Sequence, residues 1–276
     1  MKNTKTRVTG IVMFLLALFV AFIMIVPFVW MVSASFKLKK EIFSVPIRWI
    51  PETFHMDNYE TIMQKIPFPR YFFNTFKLTV SITALQVITC SMAAFAFSKL
   101  HFPGRDKLFL AYLGTMMVPW HAIMIPQFIV IQKLGLYDNH LSLILTGAFN
   151  VFGVFILRQN MLSIPDSLCE AAKIDGCPNL VFIVRILIPL TKSAIGAMAV
   201  YTFINAYNMY MWPLLVTGTE EMRTVQIGIS MLNSVDSQSI TMVIAGVVMV
   251  ILPSLFVFIL GQKQLIRGMF SGAVKG

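Results

Sequence analysis

The chain has 276 residues, of which 57% are hydrophobic and only 12% are charged, and its formal net charge is +10. Its mean hydropathy is +0.77, whereas ordinary soluble domains carry about 25% charged residues. This composition excludes an ordinary soluble domain and indicates an integral membrane protein. No basic run with interleaved aromatic residues accompanies the charge. We therefore expect no nucleic-acid partner, and we attribute the excess of Lys and Arg to cytoplasmic loops beside membrane lipid.

Six stretches with little or no charge are candidates for crossing the ~30 Å hydrocarbon core of a bilayer. They are Gly10–Val32, Phe72–Phe97, Leu108–Ile131, Leu141–Leu157, Ala194–Val216 and Ile240–Leu260. The first is longer than the apolar region of a signal peptide, so we expect it to be retained as a span. The sequence therefore predicts an all-α integral membrane protein with six transmembrane helices.

The loops between these stretches differ in their content of Lys and Arg. If the N-terminus is cytoplasmic, the inner segments hold thirteen of these residues and the outer segments eight, of which six lie in the first outer loop. This bias predicts that both termini are cytoplasmic. The first outer loop, Ser33–Arg70, contains several prolines and Trp49, so we expect it to be ordered and to lie along the interface.

The segment Ser163–Pro189 is a mostly polar island on the cytoplasmic side of this topology. Ser167 and Glu170 have the spacing of a capping box, and Gly176 can supply the left-handed residue that ends a helix. Pro178 suits the first turn of the next helix. We predict a helix of about two turns, a sharp turn and a second helix. Because so short a helix is unstable alone in water, we expect it to have a packing partner.

Groups that could perform chemistry are scattered along the chain. All twelve Asp and Glu residues lie outside the six stretches, which disfavours a proton- or sodium-coupled carrier. The sequence has no phosphate-binding loop, no recognisable catalytic triad and no HExxH motif, so we expect neither an ATPase site nor any enzyme activity. The three cysteines fit neither a disulfide framework nor a metal site. We expect plain thiols, with no metal or cofactor bound by this chain.

Several motifs resemble those of one transporter family. EAAKIDG at Glu170–Gly176, followed by Ile186 and Pro189, is similar to the EAA loop of ABC-importer permeases, with Ile188 where that pattern has Leu. Further matching stretches are Ser33–Lys37, Ala93–Arg105, Thr115–Pro126, Met211–Leu215 and Gly272–Gly276. Almost from end to end, the chain resembles the MalG-like branch of the carbohydrate permeases, a binding-protein-dependent transport inner membrane component family.

This resemblance implies the ABC type I importer permease fold and the function of a permease subunit that imports a carbohydrate, such as an oligosaccharide. It also implies a bacterial inner or plasma membrane location with several spans. The implied partners are a second homologous permease subunit in a heterodimer, two ATPase subunits that bind ATP and Mg²⁺, and an extracytoplasmic sugar-binding protein. Two alternatives remain open: an ABC permease for a polyol or glycerol phosphate, and a self-contained secondary carrier.

The resemblance also assigns roles along the chain. Residues 1–70 would form the cytoplasmic tail, first span and outer loop, residues 71–262 the permease core, and residues 263–276 a tail that is either frayed or in contact with the ATPase dimer. A coupling helix at about residues 165–176 would dock on one ATPase subunit. Its expected contact residues are Glu170, Ala171, Ala172, Lys173, Asp175 and Gly176. The polar outer loop Gly218–Ser239 would face the binding protein.

Polar and aromatic residues in spans three to five are candidates for lining a sugar pathway. They are His121, Gln127, Asn150, Tyr201, Asn205, Asn208 and Trp212. Amides can bond to sugar hydroxyls, and aromatic faces suit the C–H face of a sugar ring. The alternative is that these groups join helices to one another, at about 0.6 kcal/mol each. Four prolines are expected to kink the spans: Pro119, Pro126, Pro213 and Pro253.

Overall fold

The computed structural model describes residues 2–235 and 240–270, with side chains described for residues 9–232 and 240–266. These residues form α-helices with short 3-10 and π segments, and no strand occurs among them. The α-helices are α1 (Lys2–Ser35), α2 (Lys39–Ile42), α3 (Asp57–Lys65), α4 (Phe68–Lys99), α5 (Arg105–Gly114), α6 (Trp120–Lys133), α7 (His140–Thr146), α8 (Val151–Leu162), α9 (Asp166–Ile174), α10 (Asn179–Phe182), α11 (Ile188–Leu190), α12 (Lys192–Tyr207), α13 (Met211–Val216), α14 (Val225–Val235) and α15 (Ile240–Phe270).

Three of these helices are long and apolar enough to cross a membrane unaided, namely Thr9–Ser35, Phe68–Lys99 and Ile240–Ile266. Three further apolar segments are helix pairs bent by 98°, 41° and 87°. They are Arg105–Met117 with Trp120–Lys133, His140–Thr146 with Val151–Leu162, and Asn179–Leu190 with Lys192–Tyr207. The six predicted transmembrane helices are reached only if each bent pair counts as one span. Two of the bends lie within predicted spans three and four, and the third, between Leu190 and Lys192, precedes predicted span five. The predicted fifth span is also divided, because α12 ends at Tyr207 and α13 follows separately.

Two of the three breaks coincide with a proline. Pro119 confines Val118 to an extended conformation (φ −80°, ψ 116°) and stands directly before α6. Pro189 lacks the N–H that would donate to the carbonyl of Arg185, and the helix before it widens into a π turn over Ile183–Leu187. The other three prolines expected to kink spans lie inside helices: Pro126 in α6, Pro213 in α13 and Pro253 in α15.

The remaining break, between α7 and α8, is stabilised by side chains. Asn150 caps α8 through its Oδ1, which accepts from the Gly153 N–H at 3.0 Å. One face of α4 donates to three carbonyl oxygens of the turn: Gln86 Nε2 to Gly147 at 2.6 Å, Thr89 Oγ1 to Ala148 at 2.6 Å, and Cys90 Sγ to Asn150 at 3.4 Å. Lipid offers no hydrogen bonds, so a turn at membrane depth needs such donors from the protein.

Gln86 is the centre of this arrangement. Its side chain is buried in the middle of α4. Its Oε1 accepts from Asn150 Nδ2 at 3.2 Å and from Thr202 Oγ1 at 2.8 Å. One amide therefore joins α4, α12 and the turn between α7 and α8.

The chain divides into two compact units, Met1–Phe68 with Ile229–Leu252 and Pro69–Gly228 with Pro253–Gly276. In the first unit, the segment after α1 is held by hydrogen bonds, in agreement with the expectation that it is ordered. The buried Lys37 donates to the Arg48 carbonyl, and Asn58 Nδ2 donates to the carbonyls of Ser35 and Lys37 at 2.9 and 3.2 Å. The second unit has its own core, in which α4, α8 and α12 contribute buried side chains. It contains every candidate site residue.

We predict that Thr89→Val destabilises the protein by about 1–3 kcal/mol, because it leaves the Ala148 carbonyl without its side-chain donor. The matched control is Thr83→Val on the same helix. The Thr83 hydroxyl is buried and has no hydrogen-bond partner among the described residues, so this isosteric change should be neutral or stabilising. Thermal unfolding of the two purified variants in detergent compares them, and equal midpoints would contradict the role assigned to Thr89.

Candidate functional site

The helix α9 starts two residues earlier than the capping box requires. Pro165 occupies the N-cap position, and no side chain caps this end. Ser167 therefore lies inside the first turn, and the predicted pairing of Ser167 with Glu170 is wrong. Asp166 takes the first helical position instead, where a carboxylate interacts favourably with the helix dipole.

The end of α9 follows the sequence prediction. Gly176 has a φ of +68°, which confirms the left-handed residue. The Gly176 N–H donates to the Lys173 carbonyl at 3.0 Å, and the Cys177 N–H donates to the Ala172 carbonyl at 2.9 Å. These two bonds form a Schellman motif. Pro178 stands at the N-cap of α10 rather than within its first turn.

The short helix α9 is packed within the chain. Ala172 is buried in the core cluster that contains Phe95 of α4 and Phe182 of α10, and Cys169 packs against the same cluster. The two phenyl rings are 6.1 Å apart. The packing partner expected for α9 is therefore found within the chain, because α4 and α10 pack against this helix.

A buried lysine links α4 to the start of α9. The Lys99 side chain is 2% exposed. Its Nζ donates to the Ile164 carbonyl at 2.6 Å and to Asp166 Oδ1 at 2.7 Å. The hydrogen bond and the charge of Lys99 hold the pKa of the Asp166 carboxyl below its ordinary value. The stabilising effect of this pairing is therefore present at neutral pH and is lost only as the pH falls through that lowered pKa.

The opposite face of α9 is open. Leu168, Ala171 and Ile174 are exposed at intervals of three residues, and Ile174 is 86% exposed. Glu170, Lys173 and Asp175 are exposed around them. The helix thus presents an apolar line with charged neighbours, which is a surface suited to a protein partner.

A second site is a groove of about 790 Å³ lined by the broken helices α6, α7, α8, α12 and α13 and by the breaks beside them. Six of the seven predicted pathway residues line it: His121, Gln127, Asn150, Tyr201, Asn205 and Trp212. Asn208 does not. The spacing argument that grouped it with Asn205 fails because α12 ends at Tyr207, so Asn208 lies beyond the helix.

Several polar atoms in the groove have partners within the chain. Trp212 Nε1 donates to Thr146 Oγ1 at 2.9 Å, and Asn150 bonds to Gln86, so these two residues do join helices. Asn205 Nδ2 donates to the Tyr201 carbonyl of its own helix at 2.8 Å. Gln127 Oε1 differs, because it is buried and has no hydrogen-bond partner in the described part of the chain. The helix-joining interpretation therefore holds for Asn150 and Trp212, while the lining of a sugar pathway stays a prediction.

The groove is aromatic and without formal charge. Trp120 and Trp212 meet edge to face with ring centroids 6.1 Å apart, and Phe152 lies 5.3 Å from Tyr201. No Asp, Glu, Lys or Arg occurs among its described lining residues. The described residues also contain no cluster of three His, Cys, Asp or Glu that could hold a metal. This surface suits an uncharged ligand with hydroxyl groups and apolar faces.

The described part of the segment after α13 is largely helical, whereas the sequence predicted a polar outer loop. Residues 225–235 form α14, with Val225, Ile227, Ile229 and Leu232 buried. The residues before α14 are fixed by α4: Asn74 Nδ2 donates to the carbonyls of Glu221 and Arg223 at 2.7 and 2.9 Å. Residues 236–239 of the predicted loop lie outside the described residues.

Asp138 also fixes the segment after α13. Its Oδ1 accepts from the N–H groups of Gly218 and Thr219 at 2.8 and 3.0 Å. Burial alone would raise the pKa of this carboxyl, but these hydrogen bonds outweigh it and lower the pKa.

Sequence reasoning missed Gln86 and Lys99 as functional candidates. Both lie on α4, where Gln86 stands in a long apolar run and Lys99 was counted only as a loop charge. A polar residue in the middle of a span is the signal that could have found Gln86.

Of the predicted tail, residues 263–270 continue α15, and residues 271–276, including the Gly272–Gly276 motif, lie outside the described residues.

The fold and these two sites define a membrane-embedded transport subunit. Residues 90–267 match the family of binding-protein-dependent transport system inner membrane components, and the chain belongs to this family. It is accordingly a multi-pass inner-membrane permease subunit of an ABC importer, a system that also includes ATPase and substrate-binding proteins.

Several known proteins are similar along nearly their whole length. The arabinooligosaccharides transport permease AraQ of Halalkalibacterium halodurans is 32% identical over 278 residues, covering 99% of this chain and all of the relative. The lactose transport permease LacG of Rhizobium radiobacter is 30% identical over 275 residues, covering 100% of both chains. One chain in the crystal structure of a bacterial ABC transporter involved in import of the acidic polysaccharide alginate has a TM-score of 0.82 and 26% identity, covering 93% of this chain and 96% of that chain.

We predict that Gly176→Ala destabilises the turn after α9 by about 1–2 kcal/mol, because a Cβ at positive φ is strained. No atom lies within 4 Å of the added Cβ, so the cost is conformational rather than steric. Gly114→Ala is the matched control, since its Cβ also meets open space and its φ is −57°. Proteolysis of the segment 163–189 in purified protein measures the effect, and equal cleavage rates would count against this assignment.

Proposed function

We propose that this chain is one half of the transmembrane pathway of an importer for a neutral oligosaccharide. It would cross the membrane six times with both termini in the cytoplasm, counting each bent pair as one span, with its permease core in residues 71–262. It would pair with a second, homologous permease subunit and with two ATPase subunits, which bind ATP and Mg²⁺. A sugar-binding protein would deliver the substrate from the outside. This chain itself would bind no cofactor.

The observation that carries this proposal is the groove. Its breaks at Val118–Pro119 and Gly147–Asn150 keep irregular backbone at membrane depth, which proteins tolerate only where that backbone is buried or lines a water-filled cavity. The amide and aromatic side chains that line this groove are uncharged. The names of AraQ and LacG, which refer to arabinooligosaccharides and lactose, support an uncharged sugar as the substrate.

A glycerol phosphate is the alternative substrate within the same class. Moving a phosphate through a low-dielectric groove requires compensating positive charge. The described lining has no Lys or Arg, so this subunit favours neutral substrates. Competition of glycerol 3-phosphate against a neutral oligosaccharide in uptake assays distinguishes the two.

The exposed face of α9 supports a role in coupling. We propose that Leu168, Ala171 and Ile174 dock in a cleft of one ATPase subunit, with Glu170, Lys173 and Asp175 forming charge pairs around them. Ala172 anchors the buried side of α9 to the rest of the chain, and Gly176 forms the turn that follows α9. Closure of the ATPase dimer would then move α9 and change the access of the groove from one side of the membrane to the other.

We predict that Asn205→Ala raises the KM for sugar uptake by about threefold to tenfold, the equivalent of losing one neutral hydrogen bond. Asn208→Ala is the matched control. Each asparagine donates its Nδ2 to the carbonyl four residues earlier at 2.8 Å, but only Asn205 lines the groove. Uptake of labelled sugar into proteoliposomes gives both values. Equal KM values for the two variants would refute a lining role for Asn205.

We predict that Glu170→Lys lowers both the copurification of the ATPase subunit and sugar uptake severalfold, because it reverses a charge on the docking face. Glu60→Lys is the control, since Glu60 is an exposed glutamate on α3. Pull-down from detergent and uptake in cells measure the two effects. Normal copurification together with normal uptake in the Glu170→Lys variant would rule out this docking surface.

A further inference from the structure

We propose that Lys99 is the positioning residue through which movement of α9 reaches α4 and, through α4, the groove. The inference rests on the proposed coupling role of α9. It concerns a buried ion pair at the cytoplasmic end of a long helix. The pair joins the exposed docking helix to the helix that fixes the turn between α7 and α8.

The geometry at Lys99 is that of a rigid clamp. An ammonium that is almost fully buried must be paired, or its desolvation is not compensated. Two of its three N–H donors go to α9 and the residues before it, at 2.6 Å to the Ile164 carbonyl and 2.7 Å to Asp166 Oδ1. Below this pair, Ala172 and Cys169 pack on the cluster that contains Phe95. The start of α9 is therefore bound to α4 by charge and by packing.

The other end of the connection is Gln86. It lies thirteen residues before Lys99 on the same unbroken helix, which corresponds to about 20 Å along the axis. Gln86 and Thr89 hold the Gly147 and Ala148 carbonyls of the turn between α7 and α8. Gly147 and Asn150 of that turn line the groove. A displacement of α9 that is transmitted at Lys99 thus moves the helix on which the wall of the groove depends.

If Lys99 transmits movement, its replacement changes the ratio of sugar import to ATP hydrolysis, whereas loss of a purely structural residue would lower both together. Lys99→Met keeps the aliphatic stem and its packing but removes both polar contacts. ATP hydrolysis should continue, while the amount of sugar imported per ATP hydrolysed should fall about tenfold, since a charged hydrogen bond contributes about one factor of ten in population. Asp166→Asn retains the Ile164 contact and should give an intermediate ratio. Lys107→Met, which removes an exposed charge near the start of α5, should leave the ratio unchanged.

The experiment uses the complete importer in proteoliposomes, and it measures sugar uptake and phosphate release together. A wild-type ratio in the Lys99→Met variant would overturn the inference. If the Lys99→Met variant does not assemble, the Asp166→Asn variant is measured in its place. A wild-type ratio of sugar import to ATP hydrolysis in that variant would also overturn the inference. Absence of any sugar import by the wild-type complex would instead refute the proposed function.

A second measurement tests the clamp without any transport. Cys169 is half-buried on the side of α9 that faces α4. If Lys99 holds α9 in place, the rate of maleimide modification of Cys169, followed by peptide mass spectrometry, should rise severalfold in the Lys99→Met complex. The Lys107→Met complex should react at the wild-type rate. Equal rates in all three complexes would contradict the inference, whether or not sugar is imported.

Discussion

The structure depends on the hydrogen bonds that α4 gives to the interrupted turn between α7 and α8. A membrane offers no water to carbonyl groups that leave a helix, so a break at that depth is stable only if the protein supplies donors. Gln86, Thr89 and Cys90 do so along one face of α4. These hydrogen bonds offset the cost of the broken backbone. The groove exists because this turn and its neighbours do not continue as straight helices.

The same helix ends at Lys99, where its buried ammonium binds the start of α9. One element therefore contacts both the turn that lines the groove and the segment proposed to meet the ATPase. This explains why polar residues appear on an otherwise apolar span. Hydrogen bonds between helices in a membrane are modest individually. Here Gln86 and Thr89 supply donors to the Gly147 and Ala148 carbonyls of the turn, and leaving such a group without a partner is the larger cost.

The sequence predicted the helical class, the location of α9 and its left-handed Gly176, and six of its seven predicted pathway residues line the groove. It failed wherever tertiary partners decide the outcome. The capping box at Ser167 was wrong because Pro165 moves the start of the helix, and Asn208 was misplaced because α12 ends before it. Broken spans could be suspected at Pro119, but the break at Asn150 required knowledge of Gln86. Hydropathy reports the length of an apolar stretch and contains no information about where its backbone is interrupted.

We propose above all that the turn held by α4 faces a water-filled sugar pathway. Phe149 stands in that turn, is exposed and lines the groove. The most direct measurement is the reaction of a Phe149→Cys variant, with Cys169 and Cys177 replaced by Ser, towards a membrane-impermeant thiol reagent in the assembled importer. We expect this reagent to modify the introduced cysteine, and we expect the transported sugar to slow that reaction. Reaction with lipid-soluble reagents alone, unaffected by sugar, would contradict it.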